Sequence, residues 1–421
     1  MIETTILFPG VVLRTCRDSR FKQGCLSFQL IRQMDKKESA LNALIPAVLL
    51  RGTNRHKSLR AITEHLDELY GAAVSPLVRR VGDYQTVGLY CAFMDDRFAL
   101  PGDRVLEPML AFLEELLLDV PTRDGGFLPG FVESEKKNLI STIESERNDK
   151  RAYAMSRLLK LMCREDSFGL PRLGEPEQVA AIDPAGLYRH YQEILRTTPI
   201  EIFYVGSAGA ETVAEALMPL LSKLDRTPGT LAPQTAFHPG PGGDETEVME
   251  VAQGKLCMGF TTPITNRSAE FPAMQLMNTI FGAGMTSKLF QNVREKLSLC
   301  YSIGSGYYGS KGIMVVSAGI DFDKEQLTRD EILRQLQLCQ AGQISESELK
   351  AAKEAVLSSL RATHDSPGAI EGYYATAALS GMGMTPAQYM AAVEAVTVSQ
   401  VVAAANAVQL HSTYFLKGGS Q

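Results

Sequence analysis

The sequence predicts an α+β protein of two related domains, each a largely antiparallel sheet with helices packed on one face. Three observations predict it. A Pro/Gly-rich stretch at 228–243 divides the 421 residues. The same order of strand, helix pair and further strands recurs on either side of that stretch. Within each half the strands cluster around helix pairs instead of alternating with single helices, which favours an antiparallel sheet over a parallel one.

The dividing stretch carries Pro228, Gly229, Pro233, Pro239, Gly240, Pro241, Gly242 and Gly243. Half of its positions are Pro or Gly, so neither helix nor strand persists there. It sets expected domains at 1–227 and 244–421. The first strand of each half is entered from a glycine: Gln23-Gly24-Cys25-Leu26-Ser27-Phe28 resembles Gln253-Gly254-Lys255-Leu256-Cys257-Met258-Gly259-Phe260. A helix follows each, at 39–50 and 269–280. A second, more charged helix comes next and ends in a tyrosine, at 59–70 and 289–301. Apolar strands follow at 84–94 and 312–320. Leu106, Met109, Leu110, Leu113 and Leu117 keep helical spacing and mark an amphipathic helix lying on a core. Later, Glu133 to Ser141 parallels Glu348 to Val356, and Ala180 to Asp183 parallels Val393 to Val396. Each half closes on a strand followed by glycine, at Gly206 and Gly418. The shared order argues for an internal duplication more strongly than any single pair does.

Composition excludes several classes. Hydrophobic residues at 45% and charged residues at 21% are the mix of a globular protein, not of a disordered or collagenous one. A net charge of -6 without a long basic block counts against nucleic acid as partner. Seven cysteines, an odd number with no C-x-x-C pair, predict buried thiols in a reducing cytoplasm and neither a disulfide framework nor a cysteine zinc site. No apolar run reaches the length of a membrane span, and the N-terminus lacks the pattern of a signal peptide.

Two segments carry a family resemblance. Leu41 to Thr53, followed by Leu59 to Gly71, resembles the insulinase/pitrilysin family of zinc peptidases, which includes the mitochondrial processing peptidases. In its active members a helix ends in H-x-x-E-H and runs into a K/R-G-T-like turn. Phe281 to Ser302 resembles the family's G-x-G-x-x-S-x-L-F stretch, which continues into R-E-K and then Y-S. With the duplicated layout, the resemblance covers nearly the whole chain.

The zinc motif is where this sequence departs. H-x-x-E-H places two histidines on one helical face to hold zinc, with the glutamate as general base for the metal-bound water. Counting back from Arg51-Gly52-Thr53, the histidine positions are Ala43 and Ala47 and the glutamate position is Pro46. The family's third ligand, a later glutamate, falls at Thr142. Glu144 lies two residues on, about 200° around a helix, and is a poor substitute. The chain therefore resembles the catalytically inactive bacterial type with L-L-R-G-T followed by L-D-x-L-Y-G-A, here Leu49 to Thr53 and Leu66 to Ala72.

The resemblance implies a role for the second half. In the family, an arginine and a tyrosine there help hold substrate; by motif these are Arg294 and Tyr301, with Gly282 and Gly284 in a loop touching peptide. A guanidinium offers a donor fork and a phenol one more hydrogen bond. Read from the residues alone, Arg294 is a surface cation paired with Glu295, and Tyr301 is half-buried packing. The glycine-rich Gly282 to Lys288 lacks the G-x-x-x-x-G-K-S/T pattern of a phosphate loop. No two histidines have i, i+4 spacing, and His65, in Glu64-His65-Leu66-Asp67-Glu68, reads as part of a solvated helix face.

The function so implied is that of a non-catalytic, substrate-binding subunit of a heterodimeric zinc metallopeptidase. It would complete a peptide-enclosing chamber, with no metal in this chain and zinc in an active H-x-x-E-H partner. The alternatives are a stand-alone peptide-binding or assembly protein, and a hydrolase with a relocated site.

Overall fold

The structure is a computed structural model that describes residues 2–419. The first half runs β1 (Ile2–Phe8), β2 (Val11–Arg17), β3 (Gln23–Gln33), α1 (Ser39–Leu49), α2 (Leu59–Glu68), β4 (Ala73–Val81), β5 (Tyr84–Met94) and α3 (Leu106–Leu118). A small hairpin follows, β6 (Thr122–Arg123) with β7 (Gly126–Phe127), then α4 (Pro129–Asn148), α5 (Lys150–Met162), α6 (Pro176–Ala180), α7 (Pro184–Thr197), β8 (Ile200–Gly206) and α8 (Ala210–Leu221). The second half runs β9 (Gly243–Val248), β10 (Gly254–Thr261), α9 (Phe271–Phe281), a π-helical segment (Leu289–Lys296), β11 (Cys300–Tyr308) and β12 (Ile313–Ile320). It ends with α10 (Glu325–Gln340), α11 (Glu346–Ala362), α12 (Pro367–Ser380), α13 (Pro386–Ala395), α14 (Val398–Asn406) and β13 (Gln409–Lys417).

Two sheets have matching topology. The first has strand order β1-β2-β8-β3-β5-β4 and the second β11-β12-β10-β13-β9. Read from opposite ends, β4-β5-β3-β8-β2 corresponds to β11-β12-β10-β13-β9, with β1 an addition. The single parallel pair of each falls at the same place, β2 with β8 and β9 with β13. All other neighbours are antiparallel, so the fold is α+β with two sheet-containing domains.

The chain forms two compact units. The first comprises Met1–Glu144, Leu170–Pro233 and His364–Thr376; the second comprises Ser145–Gly169, Gln234–Thr363 and Ala377–Gln421. Each unit thus receives one segment from the other half of the sequence, α5 in the second unit and the start of α12 in the first. Alternation along the strands explains where these segments go. In the first unit, Leu26, Phe28 and Leu30 of β3 face a core built with α1, α3 and α7, while Cys25 faces Ile370 and Tyr374 of α12. In the second, Cys257 of β10, Val315 of β12 and Tyr414 of β13 pack on Ala154, Leu158 and Met162 of α5. Each sheet therefore also has a helix against the face away from its main helical layer.

Local chemistry sets the element ends. Asp96 accepts hydrogen bonds from the N–H groups of Val105 and Leu106 at 2.8 and 2.9 Å, satisfying the start of α3. Ser345 and Glu348 form a capping box on α11. The second charged helix is shorter than its spacing suggests. It closes at Lys296, Ser298 turns the chain with φ +50°, and Tyr301 falls in β11 rather than at a helix end. All seven cysteines are free and buried, and burial pushes the Cys91 and Cys257 thiols up to about 12. No helix among the described residues is long and apolar enough to cross a membrane.

Candidate functional site

The positions of the absent zinc motif lie on α1. The helix continues through Pro46, which is buried inside it, as is Ala43. Next to Ala43, the buried Asn42 accepts a hydrogen bond from His190 Nε2 at 2.7 Å and donates to Gln85 Oε1 at 3.0 Å. Gln85 in turn donates to the carbonyls of Ser39 and Arg172. Burial holds the His190 imidazole below its ordinary pKa, and its Nε2 faces the Asn42 carbonyl oxygen. On α4, the Thr142 hydroxyl spends its donor on the Asn138 carbonyl at 2.9 Å. Methyl groups, a pyrrolidine ring and a committed hydroxyl are no donor set for zinc. The residues do not fit the metal. No group of three His, Cys, Asp or Glu among the described residues could hold one.

A histidine pair nearby escaped the sequence. His56 and His65 stack with ring centroids 4.5 Å apart, and Phe112 meets both edge-on. His56 Nδ1 lies 2.7 Å from Glu115, which also receives the Thr53 hydroxyl. Burial, then the neighbouring His56, holds His65 below its ordinary pKa. The solvated face expected for His65 is a partly buried stack instead. The two residues are nine apart and on different elements, so no helical spacing could show it.

In the second unit the glycine-rich loop follows α9. Gly282 lies against β11: its carbonyl accepts from the Ser305 N–H at 3.0 Å, and a Cβ built on it would sit 2.6 Å from Ser305 Oγ. Only a residue without a side chain lets the loop rest there. Gly282 and Gly284 line a cleft of about 440 Å³ together with Phe290, Arg151, Met155 and the β11 residues Gly304 to Gly306. Arg294 and Tyr301 are not in its lining. Arg294 stacks its guanidinium 4.6 Å from the Phe290 ring centroid and lies 3.7 Å from Glu295. Tyr301 is exposed and donates to Asp321 Oδ1 at 3.0 Å, a bond that raises the phenol above its usual pKa. The structure thus joins both glycines to one cleft and leaves Arg294 and Tyr301 outside its lining, with Arg294 stacked on the lining residue Phe290.

Two duplicated sheets of this order, with non-ligating residues on the motif helix, define a metallopeptidase-type fold that has lost its metal site. The chain is similar to inactive members of the peptidase M16 family, the insulinase/pitrilysin family of the sequence resemblance. The family model described as peptidase M16 inactive domain matches residues 181–356. The probable inactive metalloprotease YmfF of Bacillus subtilis (strain 168) is 29% identical over 409 residues, covering 97% of this chain and 96% of that protein. The uncharacterized zinc protease YmxG of the same strain is 24% identical over 196 residues, covering 46% of this chain and 47% of that protein. A solved structure of a conserved protein from Enterococcus faecalis V583 superposes with a TM-score of 0.91 at 26% identity, covering 100% of this chain and 99% of that one.

Proposed function

We propose that this chain is the non-catalytic, substrate-binding subunit of a heterodimeric zinc metallopeptidase, and that it completes a peptide-enclosing chamber whose zinc comes from an H-x-x-E-H partner. One observation carries the reading. All four metal-site positions hold groups that cannot bind zinc, while the glycine-rich segment of the second unit still borders an open cleft. Gly282 and Gly284 would let a peptide backbone approach closely, and Arg294, stacked on Phe290, would offer its donor fork to a carbonyl or carboxylate. Tyr301 would supply a further hydrogen bond once released from Asp321. The relatives add support: one Bacillus strain carries both a probable inactive metalloprotease and a zinc protease similar to this chain.

Mixing supplies the test. The purified chain is combined with a candidate H-x-x-E-H partner and assayed on an oligopeptide panel. Activity should arise only in the mixture and fall at least about tenfold in Arg294→Ala, the scale of one lost charge-assisted contact. A partner that is fully active alone would sink the proposal.

A further inference from the structure

The cleft in the second unit owes its existence to two glycines that the backbone does not need. Gly304 and Gly306 of β11 pair with Ser317 and Val315 of β12. A Cβ built on Gly304 would meet nothing closer than the Gly282 carbonyl at 3.6 Å, and one on Gly306 nothing closer than Val315 Cγ2 at 3.7 Å. Both are ordinary contacts. Neither glycine has the positive φ that bars side chains. The contrast is Gly88 in the first sheet, where a Cβ would lie 1.9 Å from the Phe28 carbonyl oxygen. Gly88 is needed for close packing, whereas Gly304 and Gly306 leave part of a sheet floor bare.

The walls over that floor mix apolar side chains with the hydroxyls of Ser305, Ser317 and Tyr308. Met155, Met285, Phe290 and Val315 line them, and no acidic residue does. Arg151, at the start of α5, is the one cation in the lining. Its guanidinium has no ion pair or hydrogen bond among the described residues. The nearby Asp149 spends an oxygen on the N–H groups of Arg151 and Ala152, capping the helix. Lys255 lies close enough to feel the charges of both Asp149 and Arg151. A cleft of this size falls within the range of ligand sites, about 300–1,000 Å³.

We propose that this cleft binds the C-terminal end of a peptide, with the last residue's large apolar side chain on the glycine floor and its carboxylate on Arg151. An extended peptide sends neighbouring side chains to opposite sides, so an internal acidic residue and its apolar neighbour would not enter together. A terminal residue carries carboxylate and side chain on one Cα and satisfies both features at once. Every peptide-bond cleavage creates such an end. The inference rests on the peptide-binding reading above and narrows it to one chemical class.

The test uses the full chain without partner. Fluorescently labelled tetrapeptides ending in Phe, as the free acid and as the C-terminal amide, are titrated by anisotropy, with decanoate as a competitor. The free acid should bind at least about tenfold tighter than the amide. Arg151→Gln should erase that preference, and Gly306→Leu should abolish binding of both while the thermal unfolding midpoint holds. Gly304→Val gives an independent plug should Gly306→Leu fail to fold. Equal binding of acid and amide by the unaltered chain would overturn the proposal. So would undiminished binding in a folded plug variant, or decanoate binding without peptide binding, which would assign the site to fatty carboxylates. A chain that passes here yet adds nothing to any zinc partner would sink the subunit reading alone, and the reverse outcome would sink this one alone.

Discussion

The two units carry the same strand order but treat corresponding strand positions in opposite ways. Aligning Cys25 with Lys255 and following the registers outward places Ala73, Ser75, Leu77 and Arg79 of β4 against Ser302, Gly304, Gly306 and Tyr308 of β11. In the first unit Leu77 is buried, and Arg79 reaches Glu371 of α12 with two bonds of 2.9 Å. Ser27 and Gln29 donate to the same carboxylate at 2.7 and 3.0 Å. That sheet face is shut by a satisfied buried charge. In the second unit Gly304 and Gly306 stand where Ser75 and Leu77 do, Tyr308 stands in place of Arg79, and all three line the cleft. One scaffold is thus closed or open according to a few side chains. The unit that has lost its metal ligands is the closed one.

The largest expected effect breaks the closed side. Arg79→Met leaves the Glu371 carboxylate, 1% exposed, without its countercharge, and should cost about 3–5 kcal/mol in chemical denaturation. Glu371→Gln keeps part of the network and should cost less, about 1–2 kcal/mol. Next come the glycines. Gly88→Ala should cost about 1–3 kcal/mol or more from its backbone clash, whereas Gly306→Ala should stay within about 0.5 kcal/mol. Equal costs at the two positions would remove the distinction between a glycine required for packing and one that leaves a floor bare.

Acid should then weaken the first unit. His65 and His190 are both held below their ordinary pKa, chiefly by burial. Their neutral forms contribute stability that is full above the unfolded value of about 6.5 and is lost as pH falls below it, because the unfolded chain takes up the protons more readily. Thermal melts from pH 7.5 to 5.5 should show a falling midpoint, with a shallower slope in His65→Gln. An unchanged slope would mean that the histidine stack does not titrate against the fold. A modest effect lies in the second unit: Ser345→Ala removes half of a capping box and should lower stability by about 1 kcal/mol.

Much of the fold was legible because it is written in local periodicity. The Pro/Gly stretch, the glycine-led strands and the helix pairs all follow from residues close in sequence. The loss of zinc was legible for the same reason, since Ala43, Pro46 and Ala47 occupy one helical turn. What the sequence hid is long-range. Glu371 meets Arg79 across 292 positions, and the helices that cross into the other unit follow from packing that no local pattern encodes. One hint was present: Glu371 is the only charged residue from Pro367 to Ser380, and a lone carboxylate in an apolar helix needs a buried partner. Gly304 and Gly306, two glycines in one strand, were likewise a readable sign of close approach or open space.

The crossing of α12 into the first unit has a consequence for biosynthesis. That unit lacks its closing segment until Thr376 has left the ribosome, 143 residues after Pro233. At about 5–20 residues per second, the nascent sheet waits roughly 7–30 s with Ser27, Gln29 and Arg79 unpaired. Through that interval the face that α12 will cover stays open to solvent, so the order of synthesis and the order of packing differ in this unit.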